Sequence, residues 1–435
     1  MKIAIIGSGI SGLTAAHTLA PKHEVTLFEA AERLGGHTAT MDVEVKDQAY
    51  AIDTGFIVFN DWTYPEFIKL MSGLGVQSQP TQMSFSVSDA DSGIEYAGSN
   101  LNSLFGQRRN LLSPRFLTMV KDILRFNKEA EQHLANNPTC ADMTLGQYLA
   151  HYDYSNVFRD LYLIPMGAAI WSSNTDMMLN FPLQFFVRFF RNHGLLNIKN
   201  RPQWRVIKGG SRSYIEPLSE NFKDRIELGN PVLQVTRVQK GNDRPCVRLV
   251  SKNFTADYDQ VIFACHSNQA LKILGDASVN ERSILTAIPY TKNEVVLHTD
   301  ASLLPQQRRC WSSWNVALAG NTIERPRLTY NMNILQGIRS EETFCVTLNQ
   351  SADIDQAKIL GEYEYDHPVF TEEGMQAQQR WQEINGVNNT WFCGAYWRNG
   401  FHEDGVWSAL RVARELNVLA KEFVKQESPQ LAMAV

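Results

Sequence analysis

Residues 3–6 form an unbroken apolar run of strand length. They enter the glycine-rich turn Gly7-Ser8-Gly9-Ile10-Ser11-Gly12, and a helical pattern of Ala and Leu leaves it. A second short strand covers residues 24–28 and ends at Glu29. Residues 51–56 read as a strand running into Gly55, and residues 62–75 as a helix stopped by Gly73 and Gly75. From 76 to about 204 the pattern is helical and rich in Phe and Leu, with loops marked by Pro114, Pro138 and Pro202. Strand periodicity returns after Gly209-Gly210-Ser211 and a helix over 213–221, with strands at 226–228, 232–238, 247–251 and 260–264. Further strands fall at 294–298, 327–332 and 343–348, which predicts a second sheet. The chain closes with a strand ending at Gly394, a loop over 395–404, a helix over 405–424 and a frayed tail over 426–435.

The first turn has a specific physical reading. Gly7 permits the tight strand-to-helix turn, Gly9 allows the backbone to approach a pyrophosphate, and Gly12 lets the helix pack closely on the strand. Ser11 lies in the same loop, and the helix N-terminus beyond it offers free N–H groups to phosphates. Glu29 lies about twenty residues after the glycines, where a carboxylate accepts both ribose hydroxyls. Four residues on, Arg33-Leu34-Gly35-Gly36 supplies a second glycine pair. That pair suits a cofactor continuing past the pyrophosphate, which favours FAD over NAD.

The combination E-x-x-x-R-x-G-G resembles the start of the flavin-containing amine oxidase and phytoene desaturase superfamily. The segments at 165–173, 311–315, 328–336 and 400–410 resemble a bacterial subgroup of amine oxidase-like, NAD/FAD-binding proteins. That subgroup tends to accompany cyclopropane-fatty-acid-synthase-like enzymes, a hint towards lipid substrates. The resemblance implies an α/β fold: a discontinuous Rossmann-type FAD-binding domain (1–75, 205–289, 385–425) and a substrate domain of helices and sheet (76–204, 290–384). It places the backbone of Val232 against adenine. It also sets Gly394, Asp404, Gly405 and Val406 where the last helix aims its N-terminus at the flavin, stabilising negative charge there.

Composition narrows the classes further. A chain of 435 residues with 44% hydrophobic content supports two or three domains. A net charge of −5 without a basic tract gives no support for nucleic-acid binding. The six cysteines lie far apart, without CxxC or Cys/His metal spacing, so the reading is reduced thiols, no metal and a cytoplasmic setting. No apolar stretch reaches membrane-spanning length.

Flavin carries its own hydride chemistry, so no catalytic triad is expected. Amine-oxidising relatives often carry a lysine on a substrate-domain strand, linked through water to the flavin. Here the best register puts Glu294 at that place, with Lys292 two residues away on the same strand face. His402 precedes the last helix, as a proton carrier or a hydrogen-bonding loop residue. Asp404 suits helix capping. Phe401 is expected as a cavity wall beside the flavin. Phe181, Phe185 and Phe189, joined by Trp171, form an aromatic face read either as core or as the wall of an apolar substrate tunnel with peripheral membrane contact. The expected activity is hydride removal from an apolar C–H, such as lipid desaturation. Amine oxidation and a non-catalytic flavin-binding redox sensor are the alternatives, and the flavin is expected to be non-covalent, with His37 the residue that leaves a covalent link open.

Overall fold

The computed structural model describes residues 1–239, 245–320 and 323–431. Its organising element is a five-stranded parallel sheet, in the order Ile226–Glu227, Glu24–Phe28, Lys2–Ile6, Gln260–Phe263, Thr390–Phe392. Lys2–Ile6 pairs on both sides, with Ile5 opposite Leu27 and Ile262. A strand flanked on both sides must be apolar on both faces, and Ile3, Ala4 and Ile5 are wholly buried. Three widely separated parts of the chain supply this sheet, because parallel neighbours need long crossovers.

Helix Ile10–Leu19 packs on the sheet and is buried almost all round. It meets helix His402–Leu431, whose Val406, Ala409, Val412 and Ala413 are buried in the same apolar cluster. The antiparallel strands Val232–Val238, Cys246–Ser251 and Thr255–Tyr258 add Val235, Val247 and Leu249 to it.

The expected second sheet is present and has seven strands, in the order Ile359–Pro368, Tyr290–His298, Cys345–Leu348, Arg327–Asn331, Trp314–Leu318, Phe85–Asp89, Glu95–Ala97. Its last two strands come from the segment read as helical. Residues 76–204 therefore begin with short strands, including Ser78–Pro80, and turn helical only from Leu101. Phe85–Asp89 alternates too briefly for its period to stand out from the helices that follow.

The helices between Pro114 and Asn192 enclose an aromatic core with Phe116, Phe126, Phe158, Phe186 and Phe190 fully buried. Each such ring contributes about 1.5–3 kcal/mol relative to exposure. One helix in this region widens to π winding over Arg159–Leu163, between Asn156–Phe158 and Ile164–Trp171. Pro165 cannot donate to the Leu161 carbonyl four residues back. The Tyr96 hydroxyl donates to it instead, at 2.6 Å.

The last helix starts at His402, three residues earlier than expected, so His402, Glu403 and Asp404 form its first turn. It runs through Leu431 and so covers the start of the stretch read as a frayed tail; residues 432–435 lie outside the described residues. All six cysteines are free. Among the described residues no helix is long and apolar enough to cross a membrane.

Gly12 is the most tightly enclosed glycine among the described residues. A Cβ there would lie 1.9 Å from the Gly7 carbonyl oxygen and 3.2 Å from Ala264 Cβ, and neither belongs to a flexible side chain. Gly12→Ala is therefore expected to lower unfolding free energy by about 3 kcal/mol or more, measured by denaturant titration. Wild-type stability would show that the loop gives way freely.

Candidate flavin site at the carboxyl edge of the sheet

The parallel strands all end on one edge, where open α/β sheets bind ligands. Gly7 follows the first strand with φ 103°, and its N–H donates to Phe28 O at 2.8 Å. Gly9 caps helix Ile10–Leu19, which has no side-chain cap and no acidic residue in its first turn. Its first N–H groups are left for an outside anion. A Cβ on Gly9 would meet nothing within 4 Å, so the space beside it is open.

The second glycine pair docks onto the first loop. Gly35 N–H donates to Ser8, and a Cβ on Gly36 would lie 3.4 Å from Gly9 Cα. Arg33 holds this loop from within, donating to the carbonyls of Gly36 at 2.9 Å and Thr38 at 3.2 Å. Glu29 Oε2 accepts from the Ser8 N–H at 2.9 Å and from its hydroxyl, and Oε1 from Ala31 N–H at 2.9 Å. The carboxylate is thus fixed at the strand end, half-buried. Val232 begins its strand beside a bulge between Val232 and Gln234.

The last helix reaches the same edge. A Cβ on Gly405 would lie 2.7 Å from Ile10 Cγ2 and 2.9 Å from Ser11 Oγ, so glycine sets how closely the two helix starts approach. Gly394 exchanges hydrogen bonds with Ser408 Oγ at 2.9 and 3.0 Å, pinning the strand end to this helix. Asp404 acts as a capping residue, from the third helical position: its Oδ2 accepts from Phe401 N–H at 2.9 Å and Asn399 N–H at 3.2 Å. Glu403 serves another helix, accepting from Glu66 and Phe67 N–H at the start of Pro65–Gly73. Two helix N-termini, two glycine loops and a fixed carboxylate therefore converge. This constellation fits a dinucleotide whose pyrophosphate lies against Gly9.

The expected strand position needs correction. Lys292 and Glu294 both stand on the exposed face, and Lys292 pairs there with Glu364 at 2.7 Å, with 70% of its side chain exposed. Alternation on the strand turns the buried Asn293 inward instead, where its amide contacts Asn349 and His367. His402 stacks on Phe56 at 3.6 Å and contacts Tyr214 OH at 3.0 Å and Thr38 Oγ1 at 3.2 Å. Burial pulls its pKa well below the ordinary histidine value, which makes it a neutral hydrogen-bonding residue.

Trp171, Phe181, Phe185, Phe189 and Phe401 do come together. Trp171 lies 4.8 Å from Phe181 and 4.7 Å from Phe189, and Phe189 lies 5.5 Å from Phe401. These phenylalanines of helix Leu183–Asn192 are buried within the protein, so this face is not presented to a bilayer. The opposite rings, Phe186 and Phe190, are buried as well, leaving only a narrow polar stripe. A cleft of about 450 Å³ opens where His193 and Phe401 meet Trp62, Arg191, Arg398 and Asp404.

Other residues of the site carried no pattern in the sequence. Asp53 is wholly buried and accepts from Thr40 Oγ1 at 2.6 Å, Ser211 N–H at 2.8 Å and Ser211 Oγ at 2.9 Å. It ties the hairpin Thr40–Val45/Gln48–Asp53 to the Gly209-Gly210-Ser211 turn, and burial pushes its pKa up to about 6. His266 is the exception. It follows the strand Gln260–Phe263 by three positions, and a polar residue just beyond a parallel strand's carboxyl end is a signal.

The comparisons with known proteins bear on this geometry. The family model for flavin-containing amine oxidoreductases matches residues 10–298. The chain belongs to that family. The fold is similar to putrescine oxidase bound to putrescine (14% identity, 96% of this chain and 99% of that chain covered, TM-score 0.67). It is also similar to cyclohexylamine oxidase from Brevibacterium oxydans IH-35A (17%, 96% and 99%, TM-score 0.64). A CLA-producing fatty acid isomerase from P. acnes is similar to the same degree (16%, 95% and 98%, TM-score 0.67). No curated protein matches by sequence. The family and fold make the chain a flavin-dependent oxidoreductase with an α/β flavin-binding fold.

Gly9→Val is expected to fold with wild-type stability, since its Cβ meets open space, and to lose bound flavin, read from visible absorbance. A folded variant with full flavin content would place the phosphates elsewhere.

Asp404 supplies a pH prediction. Burial first, against the hydrogen bond from Phe401 N–H, pushes its pKa up to about 7. The folded state then keeps a proton that an unfolded aspartate releases near pH 4, so this group's contribution to stability falls as pH rises between about 4 and 7. Asp404→Asn keeps an oxygen acceptor and removes the charge. The variant is expected to gain stability at pH 8 on the order of 3 kcal/mol and to show a shallower pH profile. A lower melting temperature at pH 8 would contradict this.

Proposed function

We propose that the chain is an FAD-dependent oxidoreductase acting on a C–H bond of an apolar substrate, with lipid acyl-chain desaturation as the reaction of best fit. The observation that carries this reading is the aromatic group of Trp171, Phe181, Phe185 and Phe189, all buried, packed with the partly buried Phe401, which stands one residue before the helix that starts at the flavin edge. The fold serves amine oxidases and a fatty acid isomerase alike, so the side chains around the site and not the fold decide the substrate.

Gly7, Gly9, Ser11 and Gly12 would hold the pyrophosphate, Glu29 the adenosine ribose, and the backbone of Val232 the adenine. Arg33, Gly35 and Gly36 would line the continuing cofactor, with Gly394, Asp404, Gly405 and Val406 at its far end. FAD, when bound, supplies the hydride acceptor. The residues around it orient and desolvate: the rings exclude water, and the N-terminus of helix His402–Leu431 presents a positive dipole end to negative charge. With Asn293 at the inward strand position, the protein offers no lysine there, which disfavours amine oxidation.

Acid precipitation of the purified protein is expected to release all yellow colour as FAD. Anaerobic bleaching should follow addition of a long-chain lipid and not of small mono- or polyamines. Phe185→Ala combined with Phe189→Ala should impair lipid turnover more than FAD content, while Lys292→Ala should change turnover by less than about twofold. Bleaching by a simple amine, with peroxide release in air and indifference to lipids, would overturn this reading.

A further inference from the structure

One stretch of surface, remote from the flavin site, departs from the rest of the chain. Of the thirteen large hydrophobic side chains exposed among the described residues, five fall between residues 101 and 124: Leu101, Leu111, Leu112, Leu117 and Leu124. Leu112 keeps 88% of its surface in solvent and Leu101 74%. Single exposed leucines are ordinary, but a group of them on one face marks a contact surface. Residues 101–128 also carry six basic residues and one acidic, in a chain whose net charge is −5. That acidic residue, Asp122, is buried and accepts from Ser155 N–H at 2.9 Å.

Local structure brings these residues to one side. Helix Pro114–Asn136 turns Phe116, Met119, Phe126 and Ala130 inward. Its opposite stripe, Leu117, Lys121, Leu124 and Lys128, is exposed at the i, i+4, i+7, i+11 spacing of one helix face. Ser113 caps this helix, and Leu111 and Leu112 lie just before it in the turn Arg108–Leu112. The Arg108 guanidinium donates to Phe105 O at 2.8 Å and Asn102 Oδ1 at 2.5 Å, which ties helix Leu101–Leu104 to that turn. The turn Arg308–Cys310 meets the same short helix, with Cys310 Sγ 3.8 Å from Ser103 O, and adds exposed Arg308 and Arg309. Glu95 beside it is buried and accepts from Gln306 and Gln307 N–H at 2.9 Å, so its charge is turned away from solvent.

We propose that this face docks on a bilayer that contains anionic lipids, its leucines entering the headgroup region and Arg108, Arg109, Arg115 and Lys121 meeting lipid phosphates. Charge decides the occupant. A second copy of the chain would set these cations against themselves in a symmetric contact, whereas an anionic membrane matches the leucines and the cations together. The chain would lie on the membrane and not cross it, since among the described residues no helix is long and apolar enough to span. This surface is distinct from the aromatic face of helix Leu183–Asn192, which is turned inward. Glu131 continues the stripe from Leu124 and Lys128 and pairs at 3.7 Å with Arg191 of the cleft, so the docked helix carries that edge of the cleft to the membrane side. The proposal stands apart from the substrate reading and holds for an apolar or an amine substrate alike.

The test is co-sedimentation of the purified protein with vesicles of phosphatidylcholine alone or of phosphatidylcholine mixed with phosphatidylglycerol. Binding to the mixed vesicles is expected to be about tenfold tighter or more at low salt, and to weaken at about 0.5 M salt as the charges are screened. Arg115→Glu combined with Lys121→Glu should lower affinity for the mixed vesicles by about tenfold or more. Leu101→Ser combined with Leu112→Ser, both at highly exposed positions, should weaken it about tenfold as well, with melting temperature and flavin content unchanged. Equal binding to the two vesicle types, no sedimentation with either, or full binding by the charge-reversed variant would each overturn the proposal. A dimer in light scattering that the leucine variant dissolves would overturn it too, assigning the face to a second copy.

Discussion

The approach of two helix starts to one sheet edge is the constraint on which the rest depends. Helix Ile10–Leu19 can sit against the Gly7 turn only because residue 12 has no side chain, and a glycine at 405 lets helix His402–Leu431 lie close beside it. With both in place, two helix starts with their positive dipole ends lie at one sheet edge, an arrangement that favours negative charge there. Ser8 then links the first loop to Glu29 and to Gly35, so three stretches of the chain share one corner.

Around that corner the protein buries ionisable groups instead of exposing them. Desolvation lifts Asp53 and Asp404 and lowers His37, His266, His367 and His402, so the interior near the site disfavours charge. Such an interior excludes water and strengthens whatever charge a ligand brings. Asp53 shows the structural use of this arrangement: one carboxyl group accepts from Thr40, Ser211 and Gln336 and so ties a hairpin, a glycine turn and Gln336 together.

What was legible in the sequence follows from the range of the forces involved. The glycine loop, the strand Glu24–Phe28 and the second sheet depend on local patterning and were readable. Lys292 and Glu294 were misassigned because a one-residue change of strand register moves every side chain to the opposite face, and that register is set by pairing with Ile359–Pro368 and Cys345–Leu348. The strands Phe85–Asp89 and Glu95–Ala97 were hidden by their shortness. That His266 meets His37 was not readable, because the two lie 229 positions apart in sequence order (266 − 37) and come together only through tertiary packing.

The central claim is that the diphosphate of FAD lies against Gly9, between the starts of helices Ile10–Leu19 and His402–Leu431. A crystal structure of the protein purified with its flavin tests this most directly. The account requires diphosphate density within hydrogen-bond reach of the first N–H groups of Ile10–Leu19, with the ribose hydroxyls on Glu29. Diphosphate density elsewhere, with Glu29 holding only Ser8 and Ala31, would contradict it.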